Sequence, residues 1–215
     1  LQTGTIKFAY DFSNAKTYAY SISPEHGRAF SLCIKSRNKL WKSAITQTQL
    51  IGSYKKFINL PLRHHVFVGK FIFAYLWGQA LYPYGNSEVI NIRGSTDTFN
   101  MHYGINLSLE YRFPIIWIER GVGLSPIFFK NISGNLFCDL GKESNSLKDL
   151  LRTDKTVRSI GGELTIRTLW FYEIPLNFTI GTAWLINRKK MPEYYFKCEY
   201  DFATIFNRSK APSDN

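Results

Sequence analysis

The chain has 215 residues, a formal net charge of +11 and an aromatic content of 16%. Its mean hydropathy is −0.18, and no stretch supplies the ~20 apolar residues of a membrane-spanning helix; the longest uncharged run, Phe71 to Ser87, is interrupted by Gly78, Pro83, Gly85 and Asn86. Three cysteines (Cys33, Cys138, Cys198) are odd in number and lack metal spacing, so they read as small apolar residues, and nothing in their spacing selects a disulfide pair.

Turn signals between runs of alternating character mark about ten strands. In chain order they are Thr3–Phe12, Lys16–Ser23, Arg28–Arg37, Ser43–Ile58, His64–Trp77, Met101–Phe113, Asn131–Gly141, Thr156–Trp170, Glu173–Leu185 and Pro192–Thr204. The links at 23–27, 59–62 and 171–172 are short, whereas 78–100 and 142–155 are long loops. Short turns on one rim and long loops on the other suit an antiparallel meander. The apolar link Pro114–Lys130 breaks this rule, and it is expected to lie at a membrane interface or to fold back beneath the sheet. Residues 1–206 form one domain in this reading, and 207–215 a polar tail.

The alternation is clearest from Met101 to Phe113, where Ile105, Leu107, Leu109, Tyr111 and Phe113 share one parity and Asn106, Ser108, Glu110 and Arg112 the other. It recurs with Leu136, Cys138 and Leu140 against Asn135 and Asp139, and with Tyr194, Phe196, Cys198, Tyr200 and Phe202 against Lys197, Glu199 and Asp201. A strand turns successive side chains to opposite faces, so each run has one apolar, aromatic-rich face and one charged face. Over ~10 residues, that combination describes a strand with lipid on one side and a wet lumen on the other. The expected fold is an all-β, antiparallel up-and-down transmembrane β-barrel. The basic clusters Lys35, Arg37, Lys39, Lys42 and Arg188, Lys189, Lys190 fall between strands rather than on a helix or in an aromatic groove, so no nucleic-acid partner is expected. They read as loop tips that meet the phosphates of outer-membrane lipids, lipopolysaccharide included. The chain starts without Met or a signal segment, so Leu1 is expected to lie inside a longer precursor.

Two motifs sharpen this reading. Ile92-Arg93-Gly94-Ser95 lies in the long loop before a strand ending Leu109-Glu110-Tyr111-Arg112-Phe113-Pro114, and Phe137-Cys138-Asp139-Leu140-Gly141 closes the next strand. Their order resembles the outer-membrane assembly and translocation barrels of the bacterial surface antigen superfamily. In those proteins the Arg-Gly loop folds into the lumen and its arginine meets the aspartate of the Phe-x-Asp-x-Gly strand. The resemblance implies that this chain is the C-terminal part of a sixteen-stranded barrel with five strands after the loop. It also implies a loop-to-barrel clamp of Arg93, Gly94 and Asp139, with Glu110 nearby, and client polypeptides as partners. Chemistry is compatible with such a clamp: a carboxylate enclosed in a lumen needs a partner, and a guanidinium holds it bidentately.

No cofactor, metal or catalytic residue is expected, and the reading is non-enzymatic. The alternatives are a ten-stranded outer-membrane hydrolase, protease or lipid-modifying, and a soluble ligand-binding β-barrel. The first would use His102 at the long-loop rim, near Ser95 and Asp97; His26, His64 and His65 fall at the opposite rim. The second requires the apolar parity to face inward.

Overall fold

A computed structural model describes residues 4–18, 20–41, 43, 46–78, 92–95, 102–121, 123, 125–150, 152, 156–186 and 191–200. The loop 78–100 therefore enters only through Ile92 to Ser95, and Lys42, Asp97, Phe202, the cluster 188–190 and the tail 207–215 lie outside the described residues.

Nine strands among the described residues form one antiparallel sheet in strict chain order, each hydrogen-bonded to the next: β1 (Thr5–Ser13), β2 (Gly27–Arg37), β3 (Gln47–Asn59), β4 (Val66–Gly78), β5 (Tyr103–Gly121), β6 (Ile127–Ser144), β7 (Val157–Trp170), β8 (Ile174–Leu185) and β9 (Glu193–Tyr200). Among the described residues, β1 and β9 are not paired with each other. Helix among the described residues is confined to a 3-10 turn at Lys39–Trp41 and one α turn at Leu147–Leu150, and no helix there is long and apolar enough to cross a membrane.

The register joins the alternating runs into two continuous faces. Ser108 stands opposite Asp139, and Asp139 opposite Ser159; Glu110 faces Phe137, and Asn135 faces Glu163. We call this the inner face, because one cavity is lined by residues from all of β5 to β9. The other parity is exposed, with Phe8 at 67%, Phe196 at 64% and Trp184 at 55%. Among the described residues, buried apolar side chains are concentrated on the inner face, where Ala74 clusters with Ile92, and Phe57 with Val66 and Val68. The inner side of β4 is apolar apart from Lys70, because it carries these clusters.

Three expectations are corrected. Lys35 and Arg37 are not loop-tip residues between strands; both belong to β2. Lys16–Ser23 is no strand: among its described residues there is one isolated bridge, Lys16 to His26, outside the named strands. Its polar backbone is satisfied locally, with Tyr18 N–H donating to Ser21 Oγ at 2.9 Å and Glu25 N–H to the Lys16 carbonyl at 2.9 Å. The segment is a strap that buries Ile22 at the cavity, and Ala15 just before it packs against Phe57, Val66 and Val68. Pro114–Lys130 is no fold-back link; it continues β5 and β6 into a longer hairpin. Register shifts between Pro114 and Ile116 and between Trp117 and Arg120 accommodate it. Proline has no N–H for a ladder, and a bulge removes the need for one.

Candidate functional site

The inner face of β5 to β8 carries the segment Ile92–Ser95, with Arg93 at its centre. Arg93 Nε and Nη2 donate to Asp139 Oδ2 and Oδ1, both at 2.8 Å, in a bidentate pair. Nη2 also reaches Ser108 Oγ and Glu110 Oε1 at 3.0 Å, and Nη1 reaches Glu163 Oε2 at 3.3 Å. The guanidinium lies over the Phe137 ring, 3.6 Å from its centroid. One arginine thus joins three strands through three carboxylates, with an aromatic platform below it.

Strand period explains why these side chains converge. Phe137, Asp139 and Gly141 are consecutive inner positions of β6, and each serves the loop segment. Phe137 underlies the guanidinium, Asp139 binds it, and a Cβ at Gly141 would collide with the Ile92 side chain. Gly94 has φ of 78°, and a Cβ there would stand 2.7 Å from that of Ala183 on β8. Both the backbone conformation and the close approach require glycine.

A second layer ties the carboxylates down. Ser108 Oγ donates to Asp139 Oδ1 at 2.6 Å. Glu163 accepts from Asn135 Nδ2 at 2.8 Å, Tyr195 O–H at 2.6 Å and Lys197 Nζ at 3.2 Å. Arg112 Nε donates to Glu110 Oε2 at 2.9 Å. Asp139, 2% exposed, is thereby a paired charge rather than an isolated one, the condition for enclosing a carboxylate. Toward the turn rim the network opens into a polar cavity of about 290 Å³, lined by Arg112, Arg167, Thr165, Thr179 and Glu199 among others and approached by Ile22 of the strap.

The four residues expected in the clamp are therefore brought together, Arg93 with Asp139 and Glu110 by direct contact and Gly94 beside them. Ser108, Phe137, Glu163, Tyr195 and Lys197 complete the cluster without having been singled out as site residues. Their inner parity was visible in the sequence, but the register that levels Glu163 with Arg93 was not. The histidines are dispersed. His102 Nδ1 donates to the Leu76 carbonyl at 2.9 Å, His65 Nδ1 pairs with Tyr111 O–H at 2.7 Å, and His64 Nδ1 with Glu25 Oε1 at 2.7 Å. Among the described residues, no group of His, Cys, Asp and Glu is arranged to hold a metal, and all three cysteines are free. No protein-family model matches the chain, and no curated protein matches it in sequence.

Proposed function

We propose that this chain forms part of a transmembrane β-barrel of the bacterial outer membrane, similar to the surface antigen superfamily, with the segment around Arg93 plugging its lumen. Its work in this reading is non-enzymatic: it holds a gated pore and assists insertion or translocation of client polypeptides, with outer-membrane lipids, lipopolysaccharide included, around its outer face.

The carrying observation is the inverted distribution of polarity. Aromatic and aliphatic side chains stand exposed along every strand, while Asp139, Glu110 and Glu163 are gathered on the inner face around one loop arginine. A protein surrounded by water would expose the charges and bury the rings; lipid outside and water inside reverse the preference. The outer faces of Tyr10, Phe12, Phe30 and Tyr54 form one such aromatic surface near the turn rim, as expected at a headgroup level.

The test is a nitroxide scan along β9 in liposomes. Labels at Tyr194, Phe196 and Cys198 should be reached by oxygen dissolved in the bilayer, and labels at Tyr195, Lys197 and Glu199 by a water-soluble nickel chelate. A uniform profile, or a chain that stays monodisperse without detergent or lipid, defeats the proposal.

A further inference from the structure

The charges of the sheet are segregated. β1 to β4 carry seven lysines and arginines against a single carboxylate, Asp11, whereas β5 to β9 carry seven basic and seven acidic residues. The register concentrates this excess on the inner face. Lys7 stands directly opposite Lys35 across β1 and β2, and Lys55 directly opposite Lys70 across β3 and β4. All four share the inner parity, because Lys70 faces Ser108, which touches Arg93, and Lys55 faces Ala29, six residues below Lys35 on the same side of β2.

Like charges placed directly opposite destabilise a sheet. Here the arrangement occurs twice; Asp11 lies on the same face of β1, and Glu110 of β5 stands at the inner position next to the one facing Lys70. The four lysines also span the wall, since six residues of strand separate their levels by about 20 Å. Lys7 and Lys55 are exposed, and the plugging segment Ile92–Ser95 makes its polar contacts on β5 to β7 instead. A stripe of basic side chains on a low-dielectric wall focuses potential and draws anions along it, as arginine and lysine do in anion pores.

We infer that the inner wall of β1 to β4 is a track for small anions, so that the pore passes anions in preference to cations when it conducts. The inference deepens the barrel reading and rests on it. The neutral half of the lumen, β5 to β9, serves the plug.

The experiment uses the full chain in planar bilayers under a potassium chloride gradient, both as it stands and as Arg93→Ala to release the plug. Heat-modifiable gel migration reports separately whether a barrel has formed. The reversal potential should give a chloride-to-potassium permeability ratio several-fold above one. Lys55→Glu should bring that ratio to one or below. Lys56→Glu makes the same change of net charge at the adjacent residue on the outer face, and it should leave the ratio unaltered. Equal effects of the two substitutions, or a cation-selective pore, overturn the track. So does a heat-modifiable band that stays non-conducting in Arg93→Ala, although the barrel itself then survives. Absence of the heat-modifiable band overturns the barrel and the track together.

Discussion

Replacing Asp139 with asparagine removes the charge at the centre of the inner-face network while keeping the shape of the side chain. Asp139 accepts from Arg93 Nε and Nη2 at 2.8 Å and from Ser108 Oγ at 2.6 Å, and it is 2% exposed. Breaking a buried pair by removing one partner costs roughly 3–5 kcal/mol when the other charge is left alone. Arg93 is not left alone, because Glu110 at 3.0 Å and Glu163 at 3.3 Å still face it. The amide nitrogen, however, would meet donors of Arg93 or Ser108. We expect a net loss of about 2–3 kcal/mol, below the range for an orphaned charge. A urea titration in detergent micelles, read from the folded fraction on unboiled gels, measures it. A double-mutant cycle with Arg93→Gln should return a coupling of about 2 kcal/mol, since the residues are in direct contact. An Asp139→Asn protein within about 0.5 kcal/mol of the parent, or a coupling that small, refutes the idea that the pair acts as a unit.

Other outcomes follow from neighbouring contacts. Gly94→Ala should cost about 1–3 kcal/mol from its positive φ and the approach to Ala183, and proteolysis of the loop should accelerate; Ala183→Gly in the same chain should recover the part due to the clash alone. Phe137→Leu removes the ring under the guanidinium and should lower urea stability by about 1–2 kcal/mol, an effect that vanishes in an Arg93→Gln background. Burial pushes the Glu25 carboxyl up, but hydrogen bonds from Ser21 and His64 and the charges of His64 and His26 outweigh it, so the group sits below its ordinary 4.5. A depressed carboxylate stabilises the strap fully above its unfolded value, and that contribution disappears as pH falls through the folded one. Protease sensitivity of residues 14–26 should therefore rise on acidification below about pH 4.5 in the parent and be independent of pH there in Glu25→Gln.

The outer and inner faces were legible residue by residue, because a period of two needs no knowledge of distant strands. Tyr103 to Phe113 and Tyr194 to Tyr200 alternate in the fold as they do in the sequence. The same rule misled at Lys16–Ser23: Tyr18, Tyr20 and Ile22 alternate with other residues, yet Ser21 and Glu25 bind the backbone and each other locally and hold the strap off the sheet. Local side-chain hydrogen bonds compete with ladders wherever Ser and Asn cluster, and the alternation does not reveal which will win. The strand expected to end at Phe113 runs on through Pro114, because the bulge beside it absorbs the missing N–H. Arg93, Gly94, Asp139 and Glu110 could be named from motif order. Glu163 and Tyr195 could not, since their place beside Arg93 depends on the register of β7 and β9, which hydrophobic pattern alone does not fix.

One crosslink tests whether the plugging segment lies against the wall of a membrane-inserted sheet. With Cys33, Cys138 and Cys198 replaced by serine, Gly94→Cys and Ala183→Cys are introduced together. An ideal Cβ at position 94 lies 2.7 Å from that of Ala183, so a shift of about 1 Å brings the pair to disulfide distance. Rapid oxidative crosslinking in isolated membranes, within a band whose migration changes on boiling, is the predicted result. Thiols that stay reduced in a heat-modifiable band would contradict the plug, and a protein found only in the soluble fraction would contradict the membrane barrel itself.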